Sequence, residues 1–163
     1  MNRIQQPPET ESHRPFRSRA EQVHKLLDEF RRFGDSWLVG ATLLTAECGM
    51  QLQEIVTLEW RGVDLVAGTI EVPGPQGIRQ VRMSERVHGA LTDVPHTAGN
   101  HDAYVFFPLT DRNDARQRIG KSFSRTCERL ELTPFPFQAI RNSLARARQP
   151  RTYTSATRNQ LRP

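Results

Sequence analysis

The segment from Trp37 to Cys48 is apolar almost all the way round a helix, with Trp37, Leu38, Val39, Leu43, Leu44 and Cys48 spread over its whole circumference. A helix without a polar face must be enclosed on every side, so this one is expected at the centre of the core. The rest of the chain then has to supply its cover. Just upstream, Ala20, Val23, Leu26, Leu27, Phe30 and Phe33 recur at three- and four-residue steps, the stripe of an amphipathic helix. Gly34 ends that helix, and either Asp35 or Ser36 can cap the next.

Beyond Gly49 a short helix is expected over Leu52 to Leu58. The apolar period then changes to two. Val63–Leu65, Thr69–Val72 and Arg79–Met83, separated by Ala67-Gly68 and by Gly74-Pro75-Gln76-Gly77, predict a small antiparallel sheet. Ser84 can cap a helix running to about Leu91. Residues 92–103 and 109–114 read as loops around a short apolar run, Tyr104–Phe107. Helices are expected again from Arg116 to Leu130 and from Gln138 to about Arg148, the latter after Pro134 and Pro136. The sum is an α+β, mostly α domain, helices around a three-stranded sheet, over residues 17–149. Residues 1–16, with three prolines, and the basic stretch 150–163 are expected to be disordered tails.

With 163 residues, 36% hydrophobic and 25% charged, there is enough apolar matter for one core. The net charge is +5 and the basic residues are arginines except Lys25 and Lys121. That surplus suits an acidic partner such as nucleic acid, and equally an arginine-rich codon usage. Cys48 and Cys127 stand apart, without a disulfide or zinc pattern, and read as buried thiols. His96 and His101 lie in a Gly/Asn loop, where histidines are usually unliganded, so no metal and no other cofactor are expected. The turn 74–77 lacks the lysine of a phosphate-cradling loop. No apolar run is long enough to span a membrane and no secretory signal is present, which predicts a cytoplasmic chain without membrane or small-molecule partners.

The segment LLTAECGMQLQEIVTLEWRGVDLVAGTIEVPG, the later VFFP, and FPFQAIRNSLA resemble, in order and spacing, motifs of the tyrosine-recombinase (phage integrase) catalytic domain. The resemblance runs from about residue 20 to 147. It implies phosphodiester transfer through a covalent phosphotyrosine. Two arginines bind the phosphate oxygens, a hairpin lysine acts as acid, and a His or Lys stands three residues before the second arginine. Carried onto this chain, Arg141 takes the second arginine position. Gln51 stands at the first, Gln138 stands where His is expected, and residues 74–78 contain no lysine. Tyr153 is twelve positions past Arg141, too near to match the family's tyrosine.

The resemblance therefore implies a DNA-binding protein that has lost strand cleavage, contacting the backbone through Arg141, Gln51, Gln138, Arg79 and Arg82. Arg79 and Arg82 alternate across a strand, so one of them faces DNA and the other solvent. Arg112, Arg116, Arg118, Lys121 and Arg125 form a basic stretch read as a solvated face rather than a DNA track. Two rivals remain. One is an active recombinase completed by Tyr153 or by a tyrosine in trans; the other is a module that modulates a full-length recombinase by protein contact.

Overall fold

The computed structural model describes residues 18–145. The two expected tails, 1–16 and 150–163, lie outside the described residues. Helix α1 spans Arg19–Arg32, opened by a reciprocal capping box in which Ser18 Oγ accepts from Glu21 N–H (3.3 Å) and Glu21 accepts from Ser18 N–H (3.2 Å). Its Val23, Leu26, Leu27 and Phe30 are buried as the stripe predicts. Phe33 departs from it: the helix has ended, Phe33 is 61% exposed, and the Arg129 guanidinium covers its ring at 4.4 Å.

Gly34, at φ +68°, turns the chain into α2, Ser36–Ala46. Of the two possible caps it is Asp35 that serves, accepting Leu38 N–H at 3.0 Å. Every residue of α2 from Leu38 to Ala46 is buried, which makes it the central helix that its sequence requires. Around it pack α1, the short α3 (Leu52–Val56), α4 (Glu85–Thr92, capped by Ser84) and α5 (Arg112–Arg129).

A 3-10 turn over Trp60–Gly62 leads into a three-stranded antiparallel sheet in the order β1 (Val63–Asp64), β2 (Thr69–Gly74), β3 (Gly77–Arg82). The β2–β3 hairpin pairs Thr69 with Arg82 and Gly74 with Gly77, closing on Pro75-Gln76. Pro73 is tolerated in the middle strand because β1 pairs only with Thr69 and Ile70, so its missing N–H meets an open edge.

Two expectations change here. The segment of the VFFP motif, which resembles a family strand, makes only an isolated bridge, Glu59 with Tyr104. Helix α5 starts four residues earlier than its apolar period suggests, because Asp111 caps it by accepting Asn113 N–H at 2.8 Å.

The early start turns Arg112 inward. Its guanidinium donates to the carbonyls of Val56 (2.6 Å), Phe106 (3.0 Å), Phe107 (2.6 Å) and Thr110, and lies 3.8 Å above the Tyr104 ring. Arg112 therefore leaves the basic surface stretch. It is a planar clamp that satisfies the carbonyls of an irregular segment in which Phe107 adopts φ +51°. Replacing Arg112 by Met keeps the stem and strands those carbonyls. It should lower the unfolding free energy by about 2–3 kcal/mol in urea titration, and an unchanged midpoint would contradict the clamp.

Candidate functional site

The site grows from the C-terminal end of α2. The last carbonyls of a helix have no partner within it, and here they are buried, so protein must supply the donors. Asn142 N–H donates to Thr45 O (3.0 Å) and Leu144 N–H to Ala46 O (2.9 Å). To reach them the chain after the prolines makes one 3-10 turn, Phe137–Ile140, and then leaves helical geometry, with Arg141 at ψ 127° and Asn142 at φ +60°. This corrects the expected helix over 138–148. Through residue 145 its amides serve α2 instead of continuing their own spiral, and residues 146–148 lie outside the described residues.

That docking sets Arg141. Its Nε–H donates to Gly49 O at 2.7 Å, and the side chain is half-buried. Among the described residues no carboxylate pairs with it. Gly49 sits at φ +67°, and a Cβ there would stand 2.3 Å from Asn142 Oδ1, so the two segments interlock and a larger residue has to push the Asn142 side chain aside.

Two residues on from Gly49, Gln51 opens α3 with an exposed side chain, and its backbone N–H donates to Glu54 Oε2 at 2.7 Å. The same oxygen accepts from Arg79 Nη2 at 2.6 Å, so β3 is tied to α3 by a half-buried ion pair. Three of the five candidate residues, Arg141, Gln51 and Arg79, thus surround the turn 48–51. Gln138 is exposed on the 3-10 turn just before Arg141. Arg82 is exposed at the end of β3, where only its carbonyl reaches the site, 4.0 Å from Cys48 Sγ.

Glu54, the hub of this cluster, has a place in the family motif but is not among the candidate site residues read from the sequence. The signal was its spacing, three residues after the residue that opens the helix, which is the capping-box interval. Glu47 was missed as well. It pairs with Arg86 at 3.1 Å and accepts from the Ser84 hydroxyl, fixing α4 against the end of α2.

The other candidates fall elsewhere. The hairpin tip presents Pro75 and Gln76 and no lysine. Tyr104 lies beneath Arg112, and Tyr153 lies outside the described residues. Arg116, Arg118, Lys121 and Arg125 are exposed along α5. His96 stacks on Trp60 with ring centroids 4.5 Å apart, and among the described residues no cluster of His, Cys, Asp or Glu could hold a metal ion. No helix among them is long and apolar enough to cross a membrane.

Burial, helped by Glu47, pushes the Cys48 thiol up to about 12 against an opposing pull from Arg79. Burial pushes Cys127 to about 11. Because the thiolate is the nucleophile, iodoacetamide at pH 8 should leave both unlabelled in the folded chain and label both after denaturation. Raised folded-state values mean that the unfolded chain releases these protons first, so the stability they contribute is present below 9.0 and is lost as pH climbs toward 11 and 12. Gly49→Ala should destabilise by at least about 1–2 kcal/mol from the left-handed backbone alone. It should also displace the Asn142 side chain and loosen the docked turn, measurable as faster amide exchange at Asn142 and Leu144. Unchanged exchange there would refute the interlock.

Comparison with known proteins agrees with this geometry. The family model described as the phage integrase family matches residues 17–147. Among matching solved structures, XerA recombinase has a TM-score of 0.58 at 17% identity, over 74% of this chain and 45% of that one. An integrase from a mycobacterium phage, Brujita, has a TM-score of 0.57 at 19% identity, over 86% of this chain and 45% of that one. At such identities the likeness shows the fold alone, and the chain spans less than half the length of either neighbour. Comparison by sequence with curated proteins gives no match. The family match takes in α1 through the docked turn that carries Arg141, every element that builds the site, and the chain belongs to the phage integrase family, with the fold of a tyrosine-recombinase catalytic domain.

Proposed function

We propose that this domain binds the phosphodiester backbone of duplex DNA and does not cut it. The observation that carries the reading is Arg141. Its Nε is fixed on Gly49 O, and no carboxylate among the described residues neutralises it. Among the described residues only Nε of this guanidinium is bonded, which leaves the two terminal amines for a ligand, and a planar fork suits a phosphate. The family supplies the class of partner, and the chain's charge of +5 favours it.

The cutting half of the chemistry is what these residues fail to support. Gln51 and Gln138 can donate hydrogen bonds to phosphate but bring no charge to a transition state that gathers it. The hairpin tip offers no lysine to protonate a leaving oxygen. Loss of one such donor typically costs about 10²–10³ in rate, and here several are missing from one constellation.

Fluorescence polarisation of the protein on a duplex, across a salt series, tests the binding. Affinity should fall with rising salt, with a slope of about −0.9 per phosphate contacted, and Arg141→Ala should weaken binding and flatten the slope. A nicked suicide substrate should give no covalent adduct. Salt-insensitive binding, an Arg141→Ala variant that binds like the parent, or a covalent adduct would each contradict part of this function.

A further inference from the structure

The position that carries the first phosphate-binding arginine in the family motif is Gln51 here, yet the carboxylate three residues on, Glu54, is not left without a cation. Its Oε2 takes the Gln51 backbone N–H at 2.7 Å and Arg79 Nη2 at 2.6 Å. The cation arrives from another element. In the hairpin register Arg79 stands opposite Val72, and alternation along β3 puts its side chain on the face of Val81, away from Gln80 and Arg82. That settles which of the two strand arginines turns toward the turn 48–51, the turn that also anchors Arg141 through Gly49 O.

Both partners are only partly covered, with side chains 22% exposed for Glu54 and 24% for Arg79. The contact is a single nitrogen to a single oxygen, where a guanidinium has five N–H donors. Among the described residues Arg79 makes no further hydrogen bond, which leaves its remaining donors for a ligand near the turn that anchors Arg141.

We propose that Arg79 supplies, from β3, the positive charge that position 51 lacks, so that Arg79 and Arg141 hold the DNA backbone from the two sides of the turn 48–51, with Glu54 as the positioning residue that keeps Arg79 there. This rests on the DNA-binding reading above. It differs from a merely structural ion pair in one measurable respect: a structural pair contributes to stability but not to the number of counterions released on binding.

The salt dependence of duplex binding by the full chain separates the two. Arg79→Gln should flatten the slope of log K against log salt by about 0.9, one phosphate contact, while Arg79→Lys, which keeps the charge, should retain it. A wild-type slope in Arg79→Gln, or equal flattening in both variants, overturns the proposal. Should Arg79→Gln fail to fold because it strands Glu54, the double variant Glu54→Gln/Arg79→Gln removes both charges. It is then compared with Glu54→Gln alone: slopes differing by about 0.9 support the proposal, and equal slopes overturn it. A wild-type chain that does not bind duplex overturns the parent reading and this one together. A slope that falls in Arg141→Ala but not on loss of Arg79 overturns this one alone.

Discussion

A buried helix end has to have its carbonyls paired, and the functional half of this domain follows from how α2 meets that demand. From Leu38 onward α2 is buried on every side. The donors come from Asn142 and Leu144, so the chain near residue 141 cannot remain helical and is held against the turn at Gly49. Arg141 is the residue between the 3-10 turn and the docked amides, and its direction is set by both. The guanidinium also lies beside a helix C-terminus, where a positive charge is favoured. Core packing and site geometry are thus one problem solved by one set of hydrogen bonds.

Three half-buried arginines show how surroundings sort residues of one type into different work. Both terminal nitrogens of Arg112 are spent on the carbonyls of Val56, Phe106, Phe107 and Thr110, and Tyr104 covers its face. It acts as a fastening. Arg141 has one carbonyl and no counter-charge among the described residues. Arg79 stands between them, partly neutralised by Glu54 with donors to spare. Charge and residue type alone do not separate the three; their bonding partners do. The proposed absence of cutting follows the same logic: Gln at 51 and 138 offers hydrogen bonds without charge, which suits holding a phosphate rather than breaking it.

Much of this was legible in the sequence because it rests on local periodicity. The all-round apolarity of 37–48 announces a central helix, the change to period two announces the sheet, and Gly34 and Ser84 mark helix boundaries. The ordered motifs around Gly49, Trp60 and Arg141 announce the family. What the sequence concealed is long-range. The inward turn of Arg112 depends on carbonyls at Val56, 56 residues earlier in the chain. The failure of the last helix depends on α2 needing donors, which no local window contains. Glu54 was hidden for a different reason: its motif position was visible, but its pairing with Arg79 is set by the hairpin register. Asp111 as a cap was a local signal overridden by the apolar period of the residues that follow it.

The central claim is that Arg141 is a phosphate ligand in waiting rather than a structural arginine. Arginine side-chain NMR reports on it most directly, following the Nε–H resonance of Arg141, assigned by its disappearance in Arg141→Lys, through a titration with duplex DNA. A phosphate ligand predicts a large shift and slowed solvent exchange of the Arg141 resonances, saturating with the fraction bound, while the Arg112 signals stay in place. Binding of DNA with the Arg141 resonances unmoved would contradict the account and transfer the contact to the exposed arginines of α5.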